Sequence, residues 1–311
     1  MTYSEFQKRF NTENDVVSYY ISMRYDNDEV HCSHCGSVQV SQYRDRPRFF
    51  QCNACNNSFS IFSGTIFQKT TTDLRKWFYA IHLFLNGKKG ISGLQLQREI
   101  GGSYKTSWRM LKQIRTAMGN NKKSDKKLFE SIIEVDETYV GGKPRKGNTR
   151  TKSSEKKAGE RPNKNKRGRG SKKTPVVGLV DRETKQVTAR VALPNAEGKK
   201  LTGKQLMEII DETTSKDATI ISDEFKSYGI LKSQNSTREH IVIVHAQEFA
   251  RGTVHTNNIE SFWATLKRGM YGIYHQVSKK YLQQYVNEFC FRHNYRKEDI
   301  FAVLIKRTVL E

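Results

Sequence analysis

The chain has 311 residues, five of them cysteines, and carries 54 Lys+Arg against 32 Asp+Glu, a net charge of +22. That length gives room for about two domains, and 36% hydrophobic with 11% aromatic residues is enough to bury a core, which excludes a small disulfide scaffold and wholesale disorder. The charge points to a polyanionic partner, most often nucleic acid. No apolar run reaches the roughly 18 residues of a membrane span, and the first residues lack a basic-then-apolar signal pattern, so a soluble, cytoplasmic protein is expected.

In chain order, the first pattern is Cys32-x2-Cys35, sixteen intervening residues, then Cys52-x2-Cys55. This is the spacing of a tetrathiolate zinc ribbon, and a closed four-thiolate shell makes the zinc structural. Gly36 and Asn56-Asn57 follow the two pairs and tolerate the left-handed backbone of tight knuckles. Short strands are expected at 38–40 and 48–51. His31 and His34 lie near, yet four thiolates complete the shell without them, and two disulfides would require a secretory context. The fifth cysteine, Cys290, sits in an apolar helical stretch and reads as core.

Beyond the ribbon region, residues 1–62, the apolar positions Leu74, Trp77, Phe78, Ile81 and Leu85 recur at helical spacing behind a Thr72-Asp73 cap. Residues 91–100, a turn at Gly101-Gly102-Ser103 and residues 104–118 then read as helix, turn, helix. Trp108, Leu111 and Ile114 are expected on the buried side of the second helix, and Lys105, Arg109, Lys112 and Arg115 on the rest. A basic helix after a glycine turn is the layout of a DNA-reading helix-turn-helix, so residues 63–120 form a candidate DNA-binding domain.

After a polar linker, strands are expected at 131–140, 174–181 and 186–193, followed by a helix around 201–210, strands at 218–223 and 240–245, and helices from 258 to 306. Three consecutive strands and two added by crossovers are the order of an RNase H-like α/β domain over residues 128–311. The whole chain is therefore expected to be an α+β multidomain protein: zinc ribbon, helical domain, RNase H-like domain. Between the first two of these strands, residues 143–173 hold fourteen basic residues against Glu155 and Glu160, +12 of the chain's +22. With almost nothing apolar to bury, this stretch is expected to be a disordered insertion that clamps DNA through residues such as Lys166, Arg167 and Arg169.

Asp136 and Asp223 each fall at the end of an apolar strand, and in an RNase H-like sheet these two strands are neighbours. Two carboxylates so placed repel unless a cation lies between them. Glu260 is the third candidate, on a helix whose buried stripe is Ile259, Phe262, Trp263 and Leu266, with Asn257 or Asn258 as its cap. Three carboxylates can hold two magnesium or manganese ions for phosphodiester chemistry. Lys267 lies two helical turns beyond Glu260, with Arg268 beside it, to hold the DNA backbone. Glu137 and Glu224 should face away by the two-residue alternation of strands, Glu134 shares Asp136's face deeper in the strand, and His255 is a candidate phosphate contact.

At these residues the chain resembles the bacterial insertion-sequence transposases of the ISXO type, which are related to the eukaryotic Merlin transposases. The similarity rests on the paired cysteines, Phe62-Ser-Gly-Thr-Ile-Phe67, Lys89-Gly-Ile-Ser92, Glu134-Val-Asp-Glu-Thr-Tyr-Val-Gly-Gly-Lys143, Ser222-Asp-Glu224, His255-Thr-Asn-Asn-Ile-Glu-Ser-Phe-Trp263, Leu266-Lys-Arg-Gly269 and Asn287-Glu-Phe-x-Phe-Arg-x-Asn294. The resemblance implies a DDE-type transposase that cuts double-stranded DNA at the inverted repeats of its element and joins the ends to target DNA. It implies Asp136, Asp223 and Glu260 as the triad, with 36 residues between the last two. Some relatives carry Asn at the third position, which keeps Asn257 and Asn258 in play. It also implies a homodimer or larger assembly and a nucleoid-associated bacterial protein. Two other readings remain at this level: a non-cutting DNA-binding regulator derived from a transposase, and a nuclease that hydrolyses without joining.

Overall fold

The computed structural model describes residues 1–119, 128–141, 173–194, 201–223, 228, 238–243 and 256–309. Lys166, Arg167, Arg169 and nearly all of the basic insertion lie outside the described residues, as do Glu224 and His255. The chain divides into two compact units, Met1–Lys126 with Asn287–Glu311, and Lys127–Val286.

The first unit opens with α1 (Tyr3–Arg9) and α2 (Glu13–Arg24), both started by reciprocal capping boxes, Thr2 with Glu5 and Thr12 with Asp15. The ribbon follows as an antiparallel sheet of β1 (Val40–Gln42), β2 (Phe49–Cys52) and β3 (Ser58–Ser60). Arg48 ties it to the helices by bonding Glu13 and the carbonyls of Thr70 and Thr72. Next come α3 (Leu74–Asn86), capped by Asp73, then α4 (Gly93–Ile100) and α5 (Tyr104–Gly119). Leu74, Trp77, Phe78, Ile81 and Leu85 are all buried, as their spacing predicts. On α5 the buried face is Ser107, Met110, Leu111, Ile114, Arg115, Ala117 and Met118, so Trp108 is only half-buried and Arg115 is inside.

The second unit is built on a five-stranded sheet ordered β6-β5-β4-β7-β8, from β4 (Ile132–Val140), β5 (Thr174–Asp181), β6 (Val187–Val191), β7 (Thr219–Asp223) and β8 (His240–Ile243). β4, β5 and β6 form an antiparallel meander, and β7 and β8 add parallel to β4's other side. This is the RNase H-like order. Ile133, Val135, Val177, Leu179 and Ile220 cluster with Leu206, Met207 and Ile210 of α6 (Gly203–Thr213) on one face. On the other face α7 (Asn257–Gly269) packs against β4 and β5. Helices on both faces explain why every residue of β5 is buried. The further helices expected up to residue 306 are α8 (Leu282–Asn294) and α9 (Ile300–Lys306), of which the residues from Asn287 onward belong to the first unit. No helix among the described residues is long and apolar enough to cross a membrane.

Candidate active site

The strand pairing brings the first two acids together. Glu134 pairs with Ile221 and Val135 with Ser222 in the parallel register of β4 and β7, so Asp136 and Asp223 follow side by side at the strand ends. Carboxylate oxygens of Asp136, Asp223 and Glu137 all lie within 4.8 Å of one another. Glu137 does leave the strand on the face opposite Asp136, as alternation predicts, but its inclusion corrects the expectation that it therefore stands apart from the site. Its side chain leaves the strand on the α6 face, where the buried Tyr228 hydroxyl donates to it at 3.4 Å. Pairing of β4 with β7 ends at Val135, however, so no strand separates its carboxylate from the other two. Alternation fixes the direction of a β-carbon, not the reach of a glutamate beyond the paired region.

Burial first, and the like charges of Asp223 and Glu260 second, push the carboxyl of Asp136 up to about 6, against the opposing bonds from the Glu137 amide (2.7 Å) and the Trp263 indole (3.0 Å). Burial likewise raises the Tyr228 hydroxyl, with the charges of Glu137, Asp136 and Asp223 adding to it. A half-buried cluster of three carboxylates, hard oxygen donors whose like charges disfavour one another, fits a divalent cation.

Glu260 stays outside the three-carboxylate group. It is exposed on the first turn of α7, where the Thr256 hydroxyl donates to its Oε1 at 3.1 Å. Neither Asn257 nor Asn258 is the N-cap. That place is held by Thr256, which makes no side-chain cap bond. The Asn258 amide instead donates to the buried Glu134 at 2.7 Å. Lys267 and Arg268 are exposed at the far end of the same helix.

In the first unit, Lys105 and Arg109 are exposed and Lys112 is half-buried over the Trp108 ring. Arg115 does not join them. It is 3% exposed and its Nε donates to Glu288 Oε2 at 2.8 Å, so its charge is spent inside the core rather than offered to DNA. Its place in the sequence, among surface-facing basic residues, gives no hint of a partner 173 positions away.

The four ribbon cysteines form their own group, with sulfur separations of 3.7 Å for Cys32–Cys55 and 3.6 Å for Cys35–Cys52. A tetrahedron with about 2.3 Å metal–sulfur bonds has edges of about 3.8 Å, so the thiols already stand as ligands of a structural zinc. Gly36 (φ 75°) and Asn56 (φ 55°) supply the left-handed turns. Amides aim at the sulfurs: His34 N–H reaches Cys32 at 3.4 Å, and the backbone and side chain of Asn57 hold the Cys55 thiol down at about 6.

Both regions of the chain match known families. Residues 128–294 match the ISXO2-like transposase domain family, and residues 11–58 match a transposase zinc-ribbon domain. A protein in transposable element ISH50 of Halobacterium salinarum is 30% identical over 98% of each chain. Among solved structures, a chain from the simian T-cell lymphotropic virus intasome with PP2A regulatory subunit B56 gamma aligns over 65% of this chain and 64% of that one, at 12% identity and TM-score 0.30. The Mos1 mariner paired end complex with Mn aligns over 75% and 80%, at 13% identity and TM-score 0.29. With a match across more than half its length and a relative aligned from end to end, the chain belongs to the ISXO2-like transposase family.

Proposed function

We propose that this transposase binds the terminal inverted repeats of an insertion sequence and catalyses cation-dependent cleavage and strand transfer into target DNA, with Asp136, Asp223 and Glu260 as its acid triad. The observation that carries this reading is the convergence of carboxylates at the ends of β4 and β7, with Asp136 held near pH 6. Magnesium or manganese would suit these oxygen ligands, and two such ions would activate an attacking oxygen and stabilise a leaving oxygen. Asp136 and Asp223 would hold the cations from the sheet and Glu260 would complete the triad from the first turn of α7, outside the cluster in which Glu137 is the third carboxylate.

DNA is proposed to lie along Lys267 and Arg268, and along Lys105, Arg109 and Lys112 of the helix-turn-helix, with the 143–173 insertion adding sequence-independent affinity through its charge. Residues 1–62 and 63–120 read the element ends, and residues from 128 onward cut. Acting on two ends at once calls for a homodimer or larger assembly.

The test is cleavage and joining on DNA that carries the repeats flanking this gene, with Mg²⁺ or Mn²⁺. Wild type joins ends, and Asp223→Asn or Glu260→Gln abolishes joining. Breaks without joining would leave a hydrolytic nuclease, and tight binding without cutting under either metal would leave a regulator.

A further inference from the structure

Two residues before Asp136, on the same face of β4, lies a carboxylate that the cutting chemistry does not use. Glu134 is fully buried and accepts hydrogen bonds from Arg182 Nε (2.8 Å), Asn258 N–H (3.0 Å), Asn258 Nδ2 (2.7 Å) and Ile259 N–H (3.1 Å). The last three belong to the first turn of α7, which lacks a side-chain cap of its own. The strand thus supplies from outside the anion that a helix start favours. A second bond ties the same pair of elements, from the Trp263 indole to Asp136 Oδ2 at 3.0 Å.

The spacings match. Glu134 to Asp136 is about 6.7 Å along a strand, and Asn258 or Ile259 to Trp263 is about 6 to 7.5 Å along a helix. Two anchors at equal separation fix both the slide and the rotation of α7 over β4. Glu260 lies between them in sequence.

We propose that Glu134 is a positioning residue, the buried anchor that sets where Glu260 stands relative to Asp136, with Asn258 as its partner rather than a substitute third acid. This rests on the triad reading above. Arg182 balances the charge that the burial of Glu134 would otherwise leave uncompensated.

The experiment is a terbium titration of the full-length protein. Terbium seeks oxygen ligands, and Trp263, in contact with Asp136, sensitises its luminescence. Asp136→Asn abolishes the signal. Glu260→Gln and Glu134→Gln, each checked for folding by circular dichroism and thermal melting, each raise the half-saturating terbium concentration by about tenfold to a hundredfold. The double variant binds no worse than Glu260→Gln alone, because Glu134 acts through Glu260.

Wild-type affinity in folded Glu134→Gln overturns the inference, and so do losses that multiply in the double variant. If Glu134→Gln does not fold, Asn258→Ala removes one anchor bond and keeps the backbone pair; it must then weaken terbium several-fold when Glu260 is intact and not at all in the Glu260→Gln background, and any other pattern overturns the inference. Full affinity in Glu260→Gln with the signal still lost in Asp136→Asn overturns the triad assignment itself, a distinct result.

Discussion

A β-carbon on Gly178 would lie 2.6 Å from Cζ2 and Cη2 of Trp263 and 2.8 Å from Ile259 Cδ1. Gly178 is the register partner of Asp136 on β5, so the missing side chain is what lets the indole lie on the sheet and reach that carboxylate. Gly178→Ala is expected to destabilise the protein by about 1–3 kcal/mol in urea denaturation and to weaken cleavage beyond what the loss of stability explains. Asp136 gives a second expectation. Its folded carboxyl, pushed up to about 6 chiefly by burial, holds a proton more tightly than the unfolded chain does. The cation-free protein therefore loses stability as pH rises from about 4 through about 6, and a cation must displace that proton to bind. Manganese affinity measured at pH 5, 6 and 7 should fall steeply below 6; an affinity unchanged down to pH 5 would mean that Asp136 titrates as an ordinary carboxylate.

At the scale of elements, α5 and α8 are joined by ions inside the core. Glu288, fully buried, takes Arg115 Nε at 2.8 Å on one oxygen and Arg292 Nε at 3.1 Å on the other, while Arg292 also bonds the carbonyls of Phe84 and Leu85 at the end of α3. Glu288→Ala leaves two buried guanidinium groups without their anion and should cost about 3–5 kcal/mol, read as a lower urea midpoint, whereas an exposed Lys105→Ala should leave it unchanged. This cluster marks where sequence reading stops. The sheet strands, α3 and the α4–turn–α5 pair carry periodic apolar faces or glycine turns and are legible locally. So are the buried stripe of α7 and the deeper placement of Glu134. Arg115 and Glu288 are far apart in sequence, and a basic residue on an amphipathic helix is a surface residue by every local rule. Helices α1 and α2 lie in residues 1–62, read only as the ribbon region; their capping boxes are local signals, but they carry no apolar stripe strong enough to announce them. The run toward residue 306 is interrupted between Gly269 and Leu282, where a π-turn at Met270–Tyr274 and His275 at φ 55° break it without a proline to warn of it.

For the molecule as a whole, charge is the dominant physical fact. Over half of the net +22 sits in residues 143–173, a stretch with almost no apolar side chain. Deleting 143–173 should therefore lower affinity for duplex DNA of any sequence and flatten its dependence on salt, while preference for the element's own ends persists, as a binding series from 50 to 200 mM salt would reveal. Unchanged slopes would place the DNA contacts elsewhere. The capping of α7 from β4 also governs timing. The amides of Asn258 and Ile259 find their acceptor 124 and 125 positions upstream, so these two donors of the first turn do not meet Glu134 until β4 is in place. Closing so distant a contact is among the slow steps of folding, and a chain still emerging from the ribosome has no α7 to offer. A chain synthesised only as far as residue 243 can already pair β4 with β7 and bring Asp136 and Asp223 together, so of the three proposed acids only Glu260 has to wait for α7, and the order of synthesis sets the order in which the proposed triad would be completed.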